Sequence, residues 1–317
     1  MSSSTHDTHE SDSSGVRENA DGADGADGAD GPAVTVLSTE AYGLGEGARA
    51  VAGVTFVDLL TGRLLRHPGT AGADVVPVLT TDVPLGAVAP VSGEPDRWVA
   101  ALGDGLALLD ADGRPEWLDR PERDAPVPMR MNDGVCDTQG RFWAGSMPYD
   151  ERSAVGSLYR VDVDGTVTRV VEGLTIANGP AVSADGRRLF LADSAARTIT
   201  RYELGEDGYL HDGLVVVRTG EEGAPDGMTT DAEGTLWVAV HGAGQVRRYD
   251  ADGYPLLTVE LPARQPTSVA VVPGGLVVTT ATQGMAAPGP ADGHLLRVDL
   301  GPDAPTAVPV RSFGPRV

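Results

Sequence analysis

R-F-W-A-G at 141–145 and T-L-W-V-A-V at 235–240 are two copies of one short apolar strand. Four more stand at V-T-F-V-D (54–58), R-W-V-A-A (97–101), R-L-F-L-A-D (188–193) and G-L-V-V-T-T (275–280). Their centres, Phe56, Trp98, Trp143, Phe190, Trp237 and Val277, are spaced by 42, 45, 47, 47 and 40 residues. A β-rich repeat with a period in the forties predicts an all-β propeller, in which each repeat is one four-stranded blade. The 285 residues from 33 to 317, divided by a period of roughly 45, give six blades.

The punctuation agrees. Thr61-Gly62, Asp112-Gly113, Asp164-Gly165, Asp185-Gly186, Glu233-Gly234, Asp252-Gly253 and Asp292-Gly293 separate apolar runs. Such pairs mark hairpins, because the turn needs positive φ. No stretch shows sustained helical periodicity. Ring closure usually draws on both termini; V-T-V-L-S (34–38) and P-V-R-S-F (309–313) are the candidate closing strands. Residues 1–32 differ in kind: rich in Ser, Asp, Gly and Ala, with D-G-A-D-G-A-D-G-A-D-G at 21–31. That composition cannot bury enough apolar surface to offset chain entropy, and predicts a disordered acidic tail. Residues 33–317 are expected to form one propeller domain.

Composition excludes several functions. The formal net charge is −22, which argues against nucleic acid or an anionic membrane surface as partner. All 24 basic residues are Arg. Without lysine there is no Schiff base, no P-loop lysine and no Ser–Lys dyad. Cys136 is the single cysteine, so no internal disulfide forms, and it reads as a small core residue in a reduced compartment. The first residues carry no basic region followed by an apolar run, and no stretch approaches about 18 apolar residues. A soluble, cytoplasmic protein is expected, with no obligate protein partner.

Several local patterns carry little. D-V-D-G (162–165) lacks the later ligands of an EF-hand and reads as a turn. G-L-G-E-G (43–47) has no following helix or lysine to make a phosphate loop. There is no G-x-S-x-G. None of the six His (6, 9, 67, 211, 241, 294) falls in the repeated phase described next, and His241 and His294 read as turn residues.

Counting back 9–12 residues from each strand centre reaches Glu46, the pair Gly86–Ala87, Asn132, Asn178, Asp226 and the pair Thr267–Ser268. A propeller brings one such position per blade to its axis. R-M-N-D-G (130–134), I-A-N-G-P (176–180) and A-P-D-G-M (224–228) share a carboxamide or carboxylate followed by Gly, and Glu46-Gly47 is a fourth case. Each alone reads as a loop residue bonding its own backbone. Four in one phase point to a shared site. Glu46, Asn178 and Asp226 offer only oxygen, the ligand set of a hard cation: Ca²⁺ first, with Mg²⁺, Mn²⁺ or Zn²⁺ as alternatives. Asp226 is placed to act also as general base toward a water. Arg130 and Asn132 supply donors for a polyol or carboxylate-like substrate.

These residues resemble the SMP-30/gluconolactonase/regucalcin family over nearly all of 40–300. The stretches that carry the resemblance are L-G-E-G (44–47), P-L-G-A-V (84–88), R-M-N-D-G-V-C-D-T-Q-G-R-F-W-A-G-S-M (130–147), G-L-T-I-A-N-G (173–179) and P-D-G-M-T-T-D-A-E-G-T-L-W-V-A (225–239). The resemblance implies a six-bladed propeller with one axial divalent cation that hydrolyses sugar lactones. It implies Glu46, Asn178 and Asp226 as metal ligands and Arg130 and Asn132 as substrate contacts. It also implies an acidic contact three residues after A-G-S-M, which is Asp150 here, with Glu151 next to it. Where relatives have Pro and Trp two and four residues after the glutamate, this chain has Ala48 and Ala50, a thinner wall beside Glu46.

The expected function is metal-dependent hydrolysis of an aldonolactone such as gluconolactone. Two rivals stand beside it: hydrolysis of another ester or phosphoester on the same scaffold, and a non-catalytic calcium-binding or interaction propeller.

Overall fold

The computed structural model describes residues 31–70 and 72–315. The expected disordered tail therefore lies outside the described residues, except for Gly31 and Pro32. Among the described residues there are 24 strands, two short 3₁₀ turns and no α-helix. The strands form six four-stranded antiparallel sheets. Five of them take their strands consecutively from the chain.

The innermost strands are Gly45–Arg49 in blade 1, Leu85–Val91 in blade 2, Met129–Cys136 in blade 3, Ala177–Val182 in blade 4, Ala224–Thr230 in blade 5 and Pro266–Val272 in blade 6. The six repeated apolar stretches are the second strands, and their centres are all buried. Every predicted hairpin glycine has positive φ, from Gly62 at 66° to Gly253 at 89°.

Closure differs in part from expectation. Ala33–Val36 pairs antiparallel with Leu296–Asp299 and completes blade 6. The C-terminal share of that blade is residues 266–299, not P-V-R-S-F. Residues 309–313 instead cross the molecule and join no sheet: Phe313 makes a single bridge with Val91 of blade 2, and Arg311 reaches blade 4 through its side chain.

The core is a set of wedges, one between each pair of neighbouring blades. Trp98 and Leu102 of blade 2 pack on Leu64 of blade 1, and Met131 and Tyr159 of blade 3 on Val99 of blade 2. Trp143 of blade 3 packs on Leu191 of blade 4. Both faces of each sheet are thereby buried, which is why the second strands are apolar throughout rather than alternating. The same turn is repeated in blades 3 and 5. Asp137 accepts the indole N–H of Trp143 at 2.9 Å and the Nε of Arg141 at 2.6 Å. Asp231 accepts Trp237 Nε1 and Arg248 Nη2, each at 2.9 Å.

All six inner strands carry a register shift at the predicted axial position. Two residues face one between Glu46 and Arg49, between Met131 and Gly134, between Asn178 and Ala181 and between Pro225 and Met228. Blades 2 and 6 shift at Gly86 and Thr267. A β-bulge turns a side chain out of the alternating pattern. Repeated sixfold, it turns the same position of each blade toward the axis, and that position is polar in every blade but the second, which has Gly86–Ala87.

Candidate functional site

The site lies at the end of the channel where the inner strands begin. Glu46, Arg130, Asn132, Asn178 and Asp226 are all buried, between 3% and 6% exposed. Strands begin close together here, and glycine permits it. Gly179 has φ of 43°, and a Cβ on it would stand 2.3 Å from the Asp226 carbonyl oxygen of the next blade.

A chain of hydrogen bonds joins three blades. Arg130 Nη1 donates to Asn132 Oδ1 at 2.5 Å, and Asn132 Nδ2 donates to Asn178 Oδ1 at 3.1 Å and to the Ala177 carbonyl at 2.9 Å. Asn178 Nδ2 donates to Ser194 Oγ at 3.2 Å. Ser194 Oγ donates to the carbonyl of Pro225 at 2.7 Å, one residue before Asp226.

The carboxylates are less well served. Glu46 Oε2 accepts only the N–H of Gly47, at 3.3 Å. Asp226 Oδ1 is buried with no hydrogen-bond partner. Burial pushes both groups well above the usual carboxylate range; the neighbouring charges of Asp226 and Asp133 add to this for Glu46, and that of Asp133 adds to it for Asp226. Arg130 works in the opposite direction on both.

Asp133 was missed in the sequence because its neighbour Asn132 already filled the axial slot. The bulge brings both inward. Asp133 is 2% exposed, accepts Gly134 N–H at 2.7 Å, and pairs with Arg49 Nη2 at 3.3 Å, while its Oδ2 has no partner. Arg49 also donates to the carbonyls of Ala48 and Gly134 at 2.8 Å each. Ser194 was missed as well; nothing in a lone Ser–Ala pair marks it.

Asp150 is not brought into the cluster. It is exposed, and its carboxylate accepts Arg152 N–H, Ser153 N–H and Ser153 Oγ at 2.9, 3.0 and 2.6 Å. These bonds within its own turn hold its carboxyl below the usual range. Within this turn the charge of Glu151 acts on Arg130. His241 ends the second strand of blade 5 rather than sitting in a turn. Ala48 is fully buried against Tyr42 and Phe56, and its N–H donates to Ser268 Oγ at 3.1 Å.

The donors fit a cation. A buried carboxylate oxygen without a partner, a second carboxylate with one weak bond and a carboxamide are hard oxygen ligands short of positive charge. Among the described residues no cluster of three or more His, Cys, Asp and Glu forms a metal cage of protein groups alone. The candidate set is two carboxylates and one carboxamide.

Residues 44–301 match the family described as SMP-30/gluconolactonase/LRE-like region. The chain belongs to this family. Its relatives include a pentonolactonase of Haloferax volcanii, 37% identical over 264 residues, covering 77% of this chain and 86% of that one. A 6-deoxy-6-sulfogluconolactonase of Pseudomonas putida is 34% identical over 222 residues, 68% of this chain and 73% of that one. The crystal structure of regucalcin from Agrobacterium tumefaciens, described as a calcium-binding protein, superposes with a TM-score of 0.78 at 26% identity, over 90% of this chain and 98% of that one. The six-bladed propeller read from the repeat is the fold of this SMP-30/gluconolactonase member. Among the described residues no helix is long and apolar enough to cross a membrane.

Proposed function

We propose that this chain hydrolyses the ring ester of a sugar lactone, with a divalent cation held by Glu46, Asn178 and Asp226. The observation that carries the reading is the Asp226 carboxylate, buried at the axis with Oδ1 unpartnered. A buried anion without a partner is costly unless the site is built to receive positive charge or a proton. The lactonase names of relatives above 30% identity supply the substrate class.

When bound, the cation supplies charge that offsets the two carboxylates and polarises the lactone carbonyl. The remaining work falls to the chain. Asp226 accepts the proton of the attacking water, its buried carboxylate having an oxygen that no protein group occupies. Asn132 is fixed by bonds on both sides: its two Nδ2 protons are held by Asn178 and Ala177, so it meets a sugar hydroxyl as an acceptor, through the remaining lone pair of Oδ1. The Arg130 guanidinium, buried beside it, supplies donors. An aldonolactone such as gluconolactone is the first substrate to try, and Ca²⁺ the first cation.

The test is a panel of aldonolactones followed by acid release, before and after chelation and with each cation restored singly. Turnover abolished by chelator and restored by a cation supports the reading. Calcium binding without turnover of any lactone would favour a binding propeller instead.

A further inference from the structure

The end of the channel away from Glu46 is crossed by the C-terminal segment, residues 304–315. Its bonds reach four blades in turn. Ala307 bridges Asp231, and Ala232 N–H donates to the Thr306 carbonyl at 2.9 Å, in blade 5. Arg311 Nη2 donates to the carbonyls of Ser183 and Ala184 at 2.9 and 3.0 Å, in blade 4. Gly314 N–H donates to the Gly140 carbonyl at 3.0 Å, in blade 3. Phe313 exchanges two bonds of 2.8 Å with Pro90 and Ser92 in blade 2, and its ring is buried in the wedge between blades 2 and 3. The segment runs so close that a Cβ on Gly140, at φ of 81°, would stand 1.9 Å from the Gly314 carbonyl oxygen.

Between this segment and the site lies a cavity of about 70 Å³. Val308–Arg311 form one wall; Arg49, Cys136 and Thr230 are among the residues opposite. At about 30 Å³ per water it has room for roughly two. Arg49 links it to the site, because the same guanidinium bonds Asp133.

We propose that residues 304–315 are a strap that seals the far end of the channel and leaves the Glu46 end as its one mouth. Six inner strands around an axis leave an open bore, and a bore open at both ends would admit bulk water behind the Arg49–Asp133 pair. The strap adds no blade strand, yet it ties four of six blades, three by backbone bonds and blade 4 by the Arg311 guanidinium. This inference goes beyond the lactonase reading and stands whether or not that reading holds.

Cys136, the single cysteine, lines the cavity and reports on the seal. The experiment measures its reaction with an aryl disulfide reagent, too large for a cavity of about 70 Å³. Three proteins are compared at one pH: the full chain, the full chain with Phe313→Ala, and a chain ending at Asp303. Near-ultraviolet circular dichroism checks that each is folded. In the full chain the thiol should react only as fast as the protein unfolds globally. Phe313→Ala should raise the rate by about 10-fold or more through local opening of the strap, and the truncation by more. Fast labelling of the full chain would overturn the proposal. So would folded variants that label as slowly as the full chain. If the truncated chain does not fold, Phe313→Ala decides alone.

Discussion

Asn132 and Asn178, 46 positions apart in sequence and on neighbouring blades, are joined side chain to side chain at 3.1 Å. That bond fixes which way both carboxamides face. Asn178 could otherwise present either its oxygen or its nitrogen in either direction; here Oδ1 accepts from Asn132 and Nδ2 donates to Ser194. Groups that orient ligands typically cost 10–100-fold in metal affinity or activity when removed. Ser194→Ala should therefore weaken cation affinity by roughly that factor while leaving the fold intact. Isothermal titration with Ca²⁺ checks it; an unchanged affinity would remove Ser194 from the site.

Asp226 has two proposed duties, and two substitutions separate them. Asp226→Asn keeps an oxygen for a cation but cannot accept a proton at neutral pH. Its kcat should fall by about 10²–10⁴, the range of general-base catalysis, with cation binding weakened but present. Asp226→Ala should lose both. Should Asp226→Asn hydrolyse gluconolactone at the parent rate, the base must be sought elsewhere, first at Asp133.

Cation binding should be pH-dependent in a definite direction. The folded chain without cation holds Glu46 and Asp226 above the usual range, mainly through burial. Folding then favours their protonated forms. Their contribution to stability is fully present below the ordinary carboxylate values of about 4, and is lost as pH rises through the raised folded values. A cation competes with those protons and replaces them. The rise in Tm on adding Ca²⁺ should thus be larger at about pH 8 than at about pH 5, and binding should release protons into a weak buffer. Equal shifts at both pH values would contradict the shared axial charge.

The repeat made the fold and the axial phase legible, because a blade must bury a second strand on both faces and the bulge recurs at one distance from it. The phase found Glu46, Asn132, Asn178 and Asp226 without any knowledge of contacts. It could not find Asp133, because alternation assigns adjacent residues to opposite faces and only a bulge turns both inward. Nor could it find Ser194, whose role comes from a bond to the backbone of the next blade. Of the two candidate closing segments only the N-terminal one joins blade 6: P-V-R-S-F has strand-like residues, but blade 6 is already full.

The turn after Met147 carries the last prediction. The second strand of blade 3 ends opposite Met129, one residue from Arg130, and Tyr149 N–H donates to the Pro128 carbonyl at 3.0 Å. The turn therefore stands at the rim of the site. Asp150 holds it together by accepting three hydrogen bonds from Arg152 and Ser153. Glu151 adopts a left-handed φ of 55°, uncommon for a residue with a side chain, and its charge acts on Arg130, while the Asp150 carboxylate is taken up by its own turn. The acidic substrate contact should then be Glu151, one position later than the family resemblance implies. Glu151→Gln should raise KM for an aldonolactone by about 10-fold, the worth of one charge-assisted hydrogen bond, with kcat little changed. Asp150→Asn should lower Tm slightly and leave KM within about twofold. Steady-state kinetics on the two variants decide between them, and the reverse pattern would return the role to Asp150.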